Sequence, residues 1–195
     1  MKVLKTIGFW LAQCTWGFVM TFIGAIVTLV SMICGNKPHR IGSVIYTQIG
    51  YGWGGLELGG FFICAKDASD HTKFHECGHA IQNIIFGPLY PILIWFPSAI
   101  RYWLRKFNTR LGKSLFNLFY LLISLIITTG FACLTALVFH IRWLTIIFEV
   151  FRIYFLIVSL WLSGFEIKRY DKGYVPYDKI WFEGQASKLG KKFFK

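Results

Sequence analysis

Acidic residues are scarce in this chain of 195 residues: nine Asp and Glu stand against 21 Lys and Arg, for a formal net charge of +12. Charged residues of both signs make up only 15% of the chain, hydrophobic residues make up 55%, and the mean hydropathy is +0.54. A soluble globule usually carries about a quarter charged residues, so an ordinary water-soluble domain is excluded. Charge is also missing locally. None occurs over residues 6–36 or 114–139, and a third apolar run, 143–163, is interrupted only by Glu149 and Arg152. The first two runs exceed the roughly 20 residues needed to span a bilayer. The chain is expected to be an integral membrane protein.

Other absences narrow the function. The five cysteines (Cys14, Cys34, Cys64, Cys77 and Cys133) are an odd number with no Cys-x-x-Cys pair. That argues against a disulfide framework or a thiolate metal site, and they read as small buried hydrophobes. No Gly-Lys-Ser/Thr follows the glycine-rich stretch 50–59, so it is no phosphate loop, and its glycines read as backbone turns. No repeat or low-complexity tract is present. The basic excess comes without a nucleic-acid motif, so it is assigned to orientation in the bilayer and contact with anionic headgroups; no nucleic-acid partner is expected. Gln13 is a poor residue before Cys14 for lipoprotein cleavage, and the apolar run continues well beyond it. An uncleaved anchor is expected.

One helix is predicted over 7–33, stopped at Gly35-Asn36-Lys37-Pro38. Residues 43–49 and 60–65 are β-branched or aromatic and joined by the glycine-rich link, which predicts a β-hairpin. Asp70 is expected to cap a helix ending near Gly87-Pro88. The segment 89–100 is apolar but short and holds Pro91 and Pro97, as a re-entrant or interfacial segment would. The runs 114–139 and 143–163 are joined only by His140-Ile141-Arg142 and should form a tight transmembrane hairpin. A polar tail from Glu166 carries one amphipathic helix starting near Pro176–Asp178. The expected fold class is a predominantly α, polytopic membrane protein. It has three transmembrane helices, a short re-entrant or interfacial segment, a small β-hairpin and a zincin-like HExxH helix. These form a single membrane-embedded domain: anchor helix 1–36; hairpin, motif helix and re-entrant segment 37–113; transmembrane hairpin 114–165; tail helix 166–195.

His75-Glu76-Cys77-Gly78-His79 reads HExxH. On a helix, histidines four apart share one face and can hold a single Zn²⁺, while Glu76 faces the open position of the metal and can accept a proton from water. A third protein ligand is needed. Candidates are Glu57, Glu149, Glu166, Glu183, His71 and His140, and Glu183 stands out for its setting, Trp181-Phe182-Glu183-Gly184-Gln185-Ala186-Ser187.

HExxH followed by a later Phe-Glu-x-Gln-Ala resembles the integral-membrane gluzincins, which include the type I CAAX prenyl proteases and the related bacterial heat-shock membrane protease. The order of parts is similar as well: motif helix, transmembrane hairpin, then a helix with the ligand glutamate. The resemblance spans two short motifs and the arrangement between them, loosely residues 70–190. It implies His75, His79 and Glu183 as zinc ligands and Glu76 as the general base of a zinc metalloendopeptidase. Ser187 stands where that family has aspartate, Lys73 precedes the motif where uncharged residues are usual, and the chain is much shorter.

Topology and charge agree with this. The two runs between the motif and Glu183 return the chain to its starting side, provided 88–100 does not cross. That side then carries seventeen of the 21 Lys and Arg: four over 37–73, five over 101–113 and eight from Lys168 onward. The positive-inside bias places the site at the cytoplasmic face of the cell's inner (plasma) membrane.

For an oxyanion-stabilising group the sequence offers His71, His140, Tyr170, Tyr174 and Tyr177 without choosing among them. The 43–65 hairpin could hold substrate as an added strand, so a peptide or membrane-protein substrate and the lipid bilayer are the expected partners. Glu149 and Arg152, three apart, read as a structural ion pair. A site-2-type protease would need an aspartate in a later membrane helix, whereas Asp171 and Asp178 lie in the polar tail. The alternative to an active enzyme is an inactive protease-like scaffold with structural zinc that binds a partner.

Overall fold

A computed structural model describes residues 2–138, 141–170, 173 and 179–194. The described chain is mostly helical, with seven α-helices and one four-stranded sheet: α1 (Lys2–Thr15), α2 (Phe18–Ile33), β1 (Pro38–Ile41), β2 (Val44–Gln48), β3 (Gly55–Leu58), β4 (Phe61–Cys64), α3 (Asp70–Phe86), α4 (Phe96–Arg105), α5 (Arg110–Cys133), α6 (Arg142–Trp161) and α7 (Trp181–Phe194). The chain divides into two compact units, Met1–Trp95 with Pro176–Lys195, and Phe96–Val175.

In the first unit, the helix expected over 7–33 is instead two helices bent by 101°. The cause is polar. Gln13, fully buried, donates from Nε2 to the Ala80 carbonyl at 2.9 Å, while its Oε1 accepts from Asn83 Nδ2 at 2.6 Å and from Thr21 Oγ1 at 3.0 Å. A straight apolar helix in lipid would leave that amide unsatisfied, at a cost of a few kcal/mol. Breaking the helix at Gly17 satisfies it against α3.

The expected hairpin also differs. β2 and β4 lie within the two predicted segments, but they pair in parallel, Tyr46 opposite Phe62. Each has an antiparallel outer neighbour, for a strand order β1-β2-β4-β3. The glycine-rich link is long enough to cross back and lay down β3 on the way. Val44, Tyr46, Phe62 and Cys64 pack with Cys77 and Ala80 of α3 and Phe9 of α1 into the unit's core, with the Tyr46 and Phe62 rings stacked at 4.6 Å.

Ser69, not Asp70, caps α3: its hydroxyl accepts from the Thr72 backbone N–H, and Asp70 occupies the first turn, where its charge suits the helix dipole. The helix ends at Gly87 as expected, with φ +52°, a conformation that favours glycine. A break then separates Asp70–Leu89 from Pro91–Arg105.

α7 lies directly on α3. Gly78 and Gly190 make the approach possible: a Cβ on Gly78 would fall 1.9 Å from the Ala186 carbonyl oxygen, and one on Gly190 would fall 1.8 Å from the Phe74 carbonyl oxygen. No methyl group fits at either place.

The second unit is built on the expected hairpin. α5 and α6, each extended by a π-helical turn, form the segments Arg110–Leu137 and Arg142–Ile167, the two described helices long and apolar enough to cross a membrane. Counting each bent pair as one span raises this to four, consistent with membrane association. Polar side chains face inward between the two helices: Asn117 Nδ2 donates to Ser159 O at 3.2 Å and Ser163 Oγ at 2.8 Å, and the Thr135 and Thr145 hydroxyls lie 3.0 Å apart near the turn. Such bonds hold helices together where lipid offers no competing partner. Arg105 of α4 makes two bonds to Glu166, at 2.8 and 3.1 Å. Glu149 and Arg152 are paired with each other. All five cysteines are free. Cys64 and Cys77 are buried as expected, whereas Cys14 and Cys133 are exposed on helices and Cys34 is exposed in the turn after α2.

Substitution at the α3–α7 crossing tests this account. Gly190→Ala should cost about 2–3 kcal/mol through overpacking against backbone. In detergent it should lower the thermal unfolding midpoint by roughly 5–10 °C. Gly130→Ala, where a Cβ meets nothing within 4 Å, should not lower the midpoint, since alanine is the better helix former.

Candidate metal centre

The helical repeat sets His75 and His79 one turn apart on the face of α3 that meets α7, and Glu183 lies in the first turn of α7. His75 Nε2 and His79 Nε2 are 3.0 Å apart, and Glu183 Oε2 lies 3.1 and 3.2 Å from them. All three residues are buried, Glu183 completely. A tetrahedral ion with bonds of about 2.0–2.1 Å separates its ligand atoms by about 3.3 Å, close to this spacing.

The surrounding hydrogen bonds determine what the three atoms offer. Gln82 donates from Nε2 to the Phe182 carbonyl and to Gln185 Oε1, both at 2.8 Å, so its Oε1 is left to accept from His79 Nδ1 at 2.7 Å. With its proton on Nδ1, His79 directs a lone pair from Nε2 towards the other two atoms. Ser187 Oγ lies 3.0 Å from His75 Nδ1 and can accept its proton in the same way. Lone pairs from two imidazoles and a carboxylate therefore converge on one point, and such a donor set calls for a cation. Imidazole and carboxylate donors in a 2:1 set suit a divalent transition metal.

Glu76 is buried beside this group. Burial is the main cause that pushes its carboxyl up to about 7; His75 lowers it and Glu183 raises it again. β3 runs over it: a Cβ on Gly55 would lie 2.7 Å from Glu76 Oε1, so only glycine lets the strand pass this close. β3 is the outer strand of the sheet, and no strand among the described residues pairs with its far edge. It belongs to the 43–65 segment that the sequence reading placed beside the site, and lies in the link between the two strands expected there.

The structure thus brings together His75, Glu76, His79 and Glu183. Of the other third-ligand candidates, Glu57 lies near Glu76, and Glu149 and Glu166 are in ion pairs of the second unit. His71 lines a pocket of about 240 Å³ with Asp70, Phe74, His75, Ser187 and Lys191. Tyr170 bonds to the Asn108 carbonyl. His140, Asp171, Tyr174, Tyr177 and Asp178 lie outside the described residues. Sequence reasoning missed Gln82, although it lies three residues after His79 and therefore on the same helix face. Gln185 belonged to the Phe-Glu-x-Gln-Ala setting, but its bond to Gln82 depends on the docking of α7. Ser187, singled out as a departure from aspartate, still reaches the histidine that an aspartate would orient.

No protein-family model, curated protein or solved structure matches this chain.

The hydrogen-bonding shell makes its own prediction. Gln82→Leu and Ser187→Ala should each weaken metal binding by about 10–100-fold, read by competition with a chromogenic chelator, while leaving the thermal midpoint of the metal-free protein within a few degrees.

Proposed function

We propose that the chain is a zinc-dependent membrane metallopeptidase in which His75, His79 and Glu183 hold the metal and Glu76 is the general base. The observation that carries this reading is the convergence of three buried lone pairs within one turn of a buried glutamate. A purely structural site has no need of that glutamate.

Zinc bound there would supply Lewis acidity, making a water acidic enough to lose its proton near neutral pH. Glu76 accepts that proton and returns it to the leaving amine, a role suited to a carboxyl that burial has already raised. Gln82 and Ser187 hold the histidine rings in one tautomer and one orientation. The free edge of β3 supports substrate binding, because an extended peptide can add to it by backbone pairing that tolerates many sequences. The partners under this reading are a peptide or membrane-protein substrate and the bilayer. The basic residues flanking the apolar runs favour a site at the cytoplasmic face of the inner membrane.

Elemental analysis of detergent-purified protein tests the assignment. Wild type should carry about one zinc per chain and Glu183→Ala should lose most of it; full retention in the variant removes Glu183 from the site. Glu76→Gln should keep its zinc while peptide hydrolysis falls by about 10²–10⁴-fold. Unchanged hydrolysis in that variant would overturn the role of Glu76. A wild type that binds zinc but cleaves no peptide would favour the structural-zinc scaffold.

A further inference from the structure

The helices α1 and α2 are apolar enough to cross a membrane as one bent pair, and the 101° break between them equally fits a re-entrant loop. Contacts within the first unit decide between these. A crossing by residues 2–33 would set Thr6 and the strands that follow α2 on opposite sides of the hydrocarbon, about 30 Å apart. Instead the Ser43 hydroxyl donates to Thr6 Oγ1 at 3.1 Å, joining the start of α1 to the β1–β2 turn. The end of α7 reaches the same turn: a Cβ on Gly42 would fall 2.7 Å from a Phe194 ring carbon. The start of α1, the sheet and the end of α7 therefore meet in one place.

α2 does not span by itself. Its 16 residues extend about 24 Å, short of the roughly 30 Å hydrocarbon core. One face, with Met20, Thr21, Gly24, Thr28 and Ser31, is buried, and the middle of the helix rests on the sheet. A Cβ on Gly24 would fall 2.1 Å from the Leu58 carbonyl oxygen, and Thr21 Oγ1 accepts from the Gly60 backbone N–H at 3.3 Å. A crossing helix would carry its middle, and the sheet with it, to the centre of the bilayer. The outer strands β1 and β3 have no further partner strand among the described residues, and open sheet edges do not occur in hydrocarbon.

The outward faces of the two helices are nonetheless apolar. Val3, Ile7 and Leu11 on α1 and Phe22, Ile26 and Leu29 on α2 are exposed, at spacings of three or four residues that make a stripe along each helix. Lys5 near the start of α1, and Lys37 and Arg40 beyond the end of α2, are exposed as well, and such cations suit anionic headgroups. We propose that the unit bearing the candidate metal cluster is monotopic: α1 and α2 set their outward stripes into the lipid of one leaflet, and neither crosses. The start of α1, the sheet and the cluster then share one side of the membrane. Lys2 and Lys5 join the side that holds most of the basic residues, whereas a crossing would place them on the other. β3, which α2 touches at Leu58, is thereby held near the membrane surface, within reach of chain segments that emerge from the bilayer. The proposal stands apart from the metallopeptidase reading.

The test reconstitutes the full chain, with an affinity tag at the α7 end, into sealed vesicles of phosphatidylethanolamine and phosphatidylglycerol at less than one chain per vesicle. Capture through the tag selects vesicles with that end outside. A membrane-impermeant amine reagent should then label Lys5 and Lys66, both exposed, to about the extent reached after detergent, as read by mass spectrometry. Protection of either lysine until detergent is added separates parts of the unit across the bilayer and overturns the proposal. In the same vesicles a photoactivatable phospholipid should crosslink to α2 within residues 22–29. Crosslinks on α5 and α6 but none on α1 or α2 would show that lipid does not cover this face, and would overturn the proposal as well.

Discussion

The closest helix–helix approach around the site is made where α3 and α7 share backbone contact at Gly78, Ala186 and Gly190. Two members of the candidate metal cluster belong to α3 and the third to α7, about a hundred residues later, so the cluster exists only if these axes come within reach of short side chains. Small residues at the crossing allow this, as they do between membrane helices generally. Once the helices are that close, Glu183, Gln185 and Ser187 sit opposite His75, His79 and Gln82.

The cluster concentrates charge where water is excluded. Two imidazoles and the carboxyls of Glu57, Glu76 and Glu183 are all buried, and like charges so close could not all ionise in a dry interior without a cation. Such a site is stable when empty only in part-protonated form. A divalent ion would let Glu183 keep its charge. The bend between α1 and α2 serves the same region: Gln13, Thr21 and Asn83 pin the back of α3, so the face presenting the histidines is held from both sides.

Much of this was legible in the residues. The motif spacing placed His75, Glu76 and His79 on one helix face, and the setting of Glu183 marked it as their partner. The apolar runs 114–139 and 143–163 marked the hairpin formed by α5 and α6, and Gly87-Pro88 marked the end of α3. The single anchor helix was misread because an apolar run hides its one decisive polar residue: Gln13 looks tolerable until its buried partners on α3 are known. The hairpin was misread because β-branched runs reveal strands but not their pairing. β3, with few β-branched residues and three glycines beside it, gave no strand signal at all.

The sequence alone determined what depends on local spacing: which residues share a helix face, which segments prefer lipid, and where helices stop. These follow from a repeat of 3.6 residues and from transfer free energies that each segment carries with it. Only the tertiary structure decided what depends on contact across long separations. It set the parallel pairing of β2 and β4, the passage of β3 over Glu76, the burial of Glu57, and the docking of α7 onto α3. Those outcomes turn on whether two backbones can approach within a few ångströms, and no property of either segment in isolation settles that.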